Sequence, residues 1–136
     1  MAIKVQVEKS AEGIYWGSTQ NIPGGITADG VNFTEMKKNL KEALELYFET
    51  AEELSDKDIL KLKEGEIIFE FSLNLSDLFE KFNMINKSKF AEMININSSL
   101  LRQYSSNKEV YVSEQRAKEI EKGLHSLGEQ LQAIRL

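Results

Sequence analysis

The stretch FTEMKKNLKEALELYFETAEEL, residues 33–54, decides the fold because the hydrophobic pattern of the chain changes its period there. Apolar residues recur in it at spacings of three and four, with Lys and Glu between them, which predicts a helix with one buried face. Thr34, followed by Glu35, is the predicted N-cap of this helix. The residues of the apolar face are Met36, Leu40, Ala43, Leu44, Tyr47 and Ala51.

The segments on both sides of this helix alternate with period 2, which predicts strands. In the first of them, Ile3, Val5 and Val7 share one face. The predicted strands cover residues 2–9, 14–19, 25–28 and 66–71, and residues 55–65 form a charged connector. The first half therefore reads β-β-β-α-β, with a helix against a small sheet, and the predicted fold class is α+β.

The second half of the chain is predicted to be all-α. The predicted helices cover about residues 76–82, 87–94 and 98–105 and the region after Ser113; Ser76 and Ser113 are predicted caps, and residues 106–112 are a predicted loop. The last helix repeats Ile120, Leu124, Leu127, Leu131 and Ile134 at alternating steps of four and three. That stripe is either ordinary core or a helix–helix seam. Two domains are therefore predicted, residues 1–73 and 74–136.

Composition limits the class of protein. The chain has 136 residues, 41% hydrophobic and 29% charged, which is typical of a globular protein. The absence of cysteine excludes disulfides and thiolate metal sites. Because the start, MAIKVQVEKS, alternates apolar and charged residues, we expect it not to be a signal peptide, and no apolar run approaches the roughly 20 residues of a membrane helix. We expect a soluble, cytoplasmic protein without membrane contact.

The charge is unevenly distributed along the chain. Residues 1–71 hold 8 Lys/Arg and 14 Asp/Glu, whereas residues 72–136 hold 9 and 8, so the net charges are −6 and +1. Such asymmetry indicates different partners for the two halves. The acidic half suits a basic protein better than a polyanion, although an acidic face can also be ordinary solvated surface.

Residues 87–108, KSKFAEMININSSLLRQYSSNK, contain what a helix-turn-helix needs. Ala91 is small enough for a helix crossing, and Asn95 tolerates the positive φ of a tight turn. Ile96 and Leu101 are placed to pack beneath the turn and lock the crossing. Residues 77–126 accordingly resemble the helix-turn-helix of the phage-repressor type, in which glycine usually stands at the position of Asn95.

The second helix of this motif would enter the major groove of DNA with its N-terminal residues leading. Arg102 can pair with guanine and Gln103 with adenine, and helix N-termini and lysines contact phosphate. The loop at 106–108 resembles the Asn-Gly-Lys loop of the family without its glycine. The predicted DNA contacts are Lys87, Ser88, Ser98, Ser99, Arg102, Gln103 and Lys108. The alternative is a helical domain without a DNA role, which the modest basicity favours.

Residues 29–49, DGVNFTEMKKNLKEALELYFE, resemble the helix of HicB-family antitoxins. Upstream, Pro23 and Gly24 match the turn after the second strand of the family, and Gly25 stands where members often have cysteine. The matching helix residues are Gly30, Thr34, Glu42, Ala43, Leu44, Leu46, Tyr47 and Glu49. Because many members append a DNA-binding module, the resemblance covers nearly the whole chain.

The resemblance implies an antitoxin. Its first domain would be a partial ribonuclease-H-like fold that neutralises a small, basic, messenger-RNA-cleaving HicA-like toxin. Its second domain would repress its own operon by binding operator DNA, as a homodimer or higher oligomer. Tyr15, Trp16 and Ile22 are the predicted toxin-facing residues, since aromatic residues are enriched in interface cores; Trp16 can equally be core.

No enzymatic activity, metal or cofactor is expected. A ribonuclease-H-like centre needs converging carboxylates, and the pattern of Glu8, Glu12, Asp29 and Glu70 does not bring them together. The segment IPGGITADG lacks the spacing and lysine of a phosphate loop. His125 has no partner residues for catalysis and is predicted to lie exposed.

Two other functions remain open from the sequence. One is a stand-alone transcriptional regulator whose first half dimerises or binds a ligand in a pocket between the helix at 33–54 and the sheet. The other is an interaction scaffold whose helix-turn-helix has lost its affinity for DNA.

Overall fold

The computed structural model describes residues 1–10 and 12–136 as an α+β protein with six helices and five strands in that part of the chain. The chain divides into two compact units, Met1–Ser72 (the first unit) and Leu73–Leu136 (the second unit). Among the described helices, none combines the length and apolarity that crossing a membrane requires. The elements are β1 Ala2–Lys9, β2 Tyr15–Thr19, β3 Thr27–Gly30, α1 Phe33–Glu53, α2 Lys57–Leu62, β4 Ile68–Leu73, α3 Ser76–Lys81, α4 Lys87–Met93, α5 Ser98–Ser106, β5 Val112–Ser113 and α6 Glu114–Gln132.

The strands of the first unit form a mixed sheet in the order β3-β2-β1-β4. β1 and β2 are antiparallel, with Val5 opposite Thr19, and β2 and β3 are also antiparallel. β4 runs parallel to β1, because Met1 and Val5 contact Ile68 and Ser72 in the same order. The two periodicities in the sequence thus correspond to one sheet and the helix that covers it.

Helix α1 covers one face of this sheet. It buries Met36, Leu40, Leu44, Phe48 and Ala51 against Ile3, Val5 and Val7 of β1. The helix approaches the sheet closely at Gly30, where a Cβ atom would collide with the backbone of Met36. At Gly17 a Cβ atom would lie 2.6 Å from Met36 Sδ. Both glycines are therefore required by the packing of α1.

Two local predictions in the first unit are wrong. The N-cap of α1 is Asn32 rather than Thr34, since the Asn32 side chain accepts a hydrogen bond from the Glu35 amide at 2.8 Å. The charged connector contains the short helix α2, which Asp56 caps by accepting from the Ile59 amide at 3.2 Å. In both places an Asn or Asp side chain satisfies amides that the helix leaves unpaired at its start.

The second unit packs four helices around its own core. The buried core residues are Leu75, Phe79, Phe90, Ala91, Ile96, Leu101, Val112 and Ile120. Ser113 caps α6 as predicted and accepts from the Arg116 amide at 3.1 Å.

Two other predictions for this unit differ from the structure. Ser76 is the first residue of α3 rather than its cap, and its hydroxyl donates to Asn74 Oδ1 at 2.6 Å. The predicted loop at 106–112 runs into the two-residue strand β5. The side chain of Asn74 donates to the carbonyls of Lys108 and Val110 at 2.9 and 3.0 Å, which anchors that loop.

Candidate functional site

Helices α4 and α5 are joined by a tight turn at Asn95. This residue has φ of +57°, and the Ile96 amide donates to the carbonyl of Ala91 at 2.9 Å. A left-handed residue followed by a bond reaching five residues back is the Schellman ending of a helix. The predicted role of Asn95 as the turn residue is confirmed. Asparagine suits the position because it visits the left-handed region more readily than other non-glycine residues.

The side chains beneath this turn hold the two helices together. Ala91 and Leu101 are fully buried and Ile96 is 6% exposed, as their spacing predicts. Gly123 of α6 presses on the same hairpin: a Cβ atom there would collide with Ile94 Cγ2 and lie 3.2 Å from Phe90. The hairpin is thus fixed by packing on several sides, which is the rigid support that a recognition surface needs.

Asparagine side chains cap both helices of the hairpin. Asn86 accepts from the Lys89 amide at 3.0 Å, and Asn97 accepts from the amides of Ser99 and Leu100 at 2.9 and 3.2 Å. A cap of this kind contributes about 1 kcal/mol to helix stability. Asn97 therefore fixes where α5 starts and which residues lie at its N-terminal end.

The outward face of α5 is polar and holds no acidic residue. Ser99, Arg102, Gln103 and Ser106 are exposed at spacings of three, four and seven, so they form one contiguous strip. The Arg102 Nε donates to the Ser98 carbonyl at 3.3 Å. The strip offers a guanidinium, a carboxamide and two hydroxyls, the groups that read base edges in a major groove.

The other predicted DNA contacts lie at the starts of both helices and on the loop after α5. Ser98 begins α5 and is half-buried; Lys87 (half-buried) and Ser88 (exposed) form the start of α4. Lys108 is exposed but lies two residues beyond the C-terminal end of α5. Six of the seven predicted residues thus lie on α4 or α5, and Lys108 lies on the loop beyond.

Sequence reasoning missed two exposed side chains of the same hairpin. Ser106 ends the polar strip of α5, and its hydroxyl donates to the Arg102 carbonyl at 2.6 Å. Lys89 lies on α4 with its ammonium 3.7 Å from the Glu92 carboxylate, both side chains being more than 70% exposed. Helical spacing from Arg102, four residues before it, would have identified Ser106, whereas Lys89 lies two residues from Lys87 and therefore on another face of α4.

Helix α1 covers only one face of the sheet in the first unit, and an exposed aromatic side chain lies on the other face. Trp16 is 47% exposed there. The strand register puts Glu8 opposite it on β1 and Asp29 opposite it on β3. Side chains paired across strands lie about 5 Å apart at Cβ on the same face, so an exposed indole is flanked by two carboxylates.

The other two predicted toxin-facing residues do not join Trp16, and grouping the three was wrong. Tyr15 points to the opposite face of the sheet, where its ring contacts Phe33 of α1 at 6.0 Å between centroids. Ile22 is only 8% exposed and packs as core beneath the turn. Adjacent residues of a strand face opposite sides, so Tyr15 and Trp16 cannot form one patch.

The His, Asp and Glu side chains are the remaining candidates for a metal or catalytic site. Among the described residues, no group of three or more His, Asp or Glu side chains is arranged to hold a metal ion. His125 has a 74% exposed side chain, as predicted, and its Nε2 lies 4.0 Å from a carboxylate oxygen of Glu121.

In comparisons with protein-family models, curated protein sequences and solved structures, none matched this chain. The resemblance of residues 29–49 to HicB-family antitoxins therefore remains a prediction from the sequence. Function has to be inferred from the side chains and their geometry.

Proposed function

We propose that this protein is a cytoplasmic antitoxin with two binding activities. Its first unit, a partial ribonuclease-H-like domain of the HicB type, binds and neutralises a small, basic, messenger-RNA-cleaving toxin similar to HicA. Its second unit is a helix-turn-helix that binds operator DNA and represses the operon. The protein acts by binding alone and is not an enzyme.

The observation that carries the proposal is the α4–α5 hairpin. Asn95 in the left-handed region and the buried Ala91, Ile96 and Leu101 give a rigid crossing of two short helices. The outward strip of α5 then presents Arg102 and Gln103 without an acidic neighbour on that helix. A folded hairpin with such a strip suits a major groove, and α4 offers Lys87 and Ser88 to phosphate.

The open sheet face of the first unit supports binding of a basic protein. An exposed tryptophan is the residue type most enriched at the energetic centre of protein interfaces. Trp16 lies between Glu8 and Asp29 in the strand register, in a unit whose residues 1–71 carry a net charge of −6. The negative field would steer a basic toxin toward this face.

Helix α6 supports assembly into a homodimer or higher oligomer. Ile120 is buried in the core of the second unit, whereas Leu131, farther along the same stripe, is 59% exposed. Ile134, which the sequence predicted as the end of the stripe, lies two residues past the end of α6 and is 55% exposed. The apolar stripe of α6 thus extends beyond the core of the second unit. A second copy of the chain can cover the exposed end of the stripe. Two copies would double the phosphate contacts, which offsets the modest basicity of one.

A stand-alone regulator with a ligand pocket between α1 and the sheet is the less favoured function. The facing side chains of α1 and β1, among them Met36, Leu40, Val5 and Val7, are buried and packed against one another. A cofactor-sized ligand occupies roughly 300–1,000 Å³, and the packed interface of these residues leaves it no room.

Co-expression with the small reading frame next to its gene tests the proposed function. We expect the neighbour to arrest growth alone and growth to recover when the intact chain is present. A neighbour that is harmless, or that stays toxic in the presence of the chain, would refute the antitoxin function.

A further inference from the structure

One side of α1, the short helix α2 and Ile26 before β3 border a groove that the proposed function does not use. Its volume is about 280 Å³. The residues that line it are Ile26, Ala43, Leu46, Tyr47, Thr50, Ala51, Leu54, Asp56 and Ile59. Most of this lining is aliphatic, and every residue of it belongs to the first unit.

Helix α2 contacts α1 but does not fill the groove that the two helices border. Helix α2 buries none of its residues. Leu46 and Leu54 are 63% and 75% exposed, which is unusual for two leucines that lie beside the same apolar groove. These side chains are available to a partner without rearrangement of the core.

The floor of the groove is held in place by a half-buried tyrosine. The Tyr47 hydroxyl donates to the carbonyl of Pro23 at 2.7 Å, which ties α1 to the turn before β3. Partial burial raises the pKa of this hydroxyl, and the nearby Asp56 carboxylate adds to that effect. A preorganised floor lowers the entropic cost of binding.

The rim of the groove is acidic on the α1 side, whereas α2 itself carries two lysines. Glu42, Glu49 and Glu53 are exposed at positions −4, +3 and +7 from Leu46, so they share its side of α1. Asp56 adds a fourth carboxylate at the start of α2. An apolar strip with an acidic border is complementary to a helix that has leucine-like anchors on one face and Lys or Arg beside them.

We propose that this α1–α2 groove is a docking site for a basic amphipathic helix of a partner protein. A cavity of about 280 Å³ is small for a drug-sized ligand and suits a few aliphatic anchor side chains.

A second copy of this chain is a poor match for the groove. Helix α6 carries three basic and four acidic residues over 114–132, so it is not a basic helix. The basic segment at 87–108 has its own apolar residues Phe90, Ala91, Ile96 and Leu101 buried. The occupant that fits is a separate protein with a basic helix, and its docking does not depend on the antitoxin function.

A labelled synthetic peptide can test this site on the intact protein. The probe is a short amphipathic helix with leucine on one face and lysine on the other, and its matched control has glutamate in place of lysine. We expect the intact protein to bind the lysine peptide in preference to the glutamate peptide, and the affinity to fall as salt is raised.

Variants of exposed residues then locate the binding. Leu46→Ser together with Leu54→Ser should weaken the lysine peptide by about tenfold or more, since anchors dominate such interfaces. Glu42→Gln with Glu49→Gln should flatten the salt dependence, whereas the charge control Glu109→Gln with Glu129→Gln should change nothing. Equal binding by all variants, or no preference between the peptides, would overturn the proposal.

Discussion

The hairpins α1–α2 and α4–α5 turn in the same way, although they belong to different units. Each first helix is followed by a left-handed residue, Ser55 with φ of +53° and Asn95 with φ of +57°. In each, the next amide donates to a carbonyl five residues back at 2.9 Å, from Asp56 to Ala51 and from Ile96 to Ala91. An Asx side chain then caps the second helix in both.

The hairpins differ in the residues that come after the turn. In α4–α5 the residue after the left-handed position is the buried Ile96, and α5 buries Leu101. In α1–α2 that residue is Asp56, and α2 buries nothing. One hairpin is therefore closed by its core and shows a non-acidic strip, while the other stays open with an acidic rim. The turn alone does not make a recognition motif; the side chains on either side of it decide what each hairpin can bind.

The two hairpins should differ most in the stability that is lost when a leucine of their second helix, α5 or α2, is replaced by alanine. Leu101→Ala removes a fully buried side chain and should lower the free energy of unfolding by about 2–5 kcal/mol, as measured in urea. The half-buried Leu60→Ala in α2 should cost clearly less. Similar losses at both positions would mean that α2 is packed as tightly as α5.

Substitutions at two glycines of α6 test whether the packing of α6 holds the α4–α5 hairpin in place. Gly123→Ala forces a methyl group against Ile94 and Phe90 and should cost about 1–3 kcal/mol by overpacking. Gly128→Ala meets no atom within 4 Å and should stabilise α6 by roughly 0.5–1 kcal/mol. Thermal unfolding of the two variants measures both, and the same sign for both would contradict the proposed contact of α6 with the hairpin.

Removing the cation of the α5 strip tests the proposed binding of DNA by the α4–α5 hairpin. Arg102→Ala should weaken binding to DNA from upstream of the gene by about 1–3 kcal/mol and relax its specificity. Arg135→Ala removes the same charge near the chain end and serves as the control. Unchanged affinity for Arg102→Ala, in titrations at fixed salt, would remove this side chain from the interface.

The smallest effect compares the two left-handed residues directly. Glycine has no Cβ penalty at positive φ, and serine tolerates that region less well than asparagine. Ser55→Gly should therefore raise the free energy of unfolding by up to about 1 kcal/mol, and Asn95→Gly should gain less. A larger gain at Asn95 would mean that the turn of α4–α5 is the more strained one.

The sequence predicted those features that depend on period and local backbone preference. The change from period 2 to helical spacing located β1 and α1, and Asn95, Ala91 and Leu101 predicted the closed hairpin. Asn32 was missed as a cap because Thr34 is also a favoured capping residue, and only the fold decides which amides are left unpaired.

The candidate protein-binding surfaces were harder to predict. Tyr15 and Trp16 are neighbours in sequence but lie on opposite faces of β2, and Ile22 is buried by tertiary contacts that no local pattern reports. The α1–α2 groove was missed because Leu46 and Leu54 look like ordinary helix positions until α2 is seen to leave them exposed.

The most direct test measures both proposed activities in one strain that carries the adjacent reading frame and a promoter reporter. Arg102→Ala should release the reporter and still protect growth. Trp16→Ala should weaken the toxin complex by about 2 kcal/mol and impair protection, while operator binding by the purified protein is kept. Such a crossed pattern would establish one binding activity per unit. If Arg102→Ala leaves repression intact and Trp16→Ala leaves protection intact, the assignment of the two activities to these surfaces is contradicted.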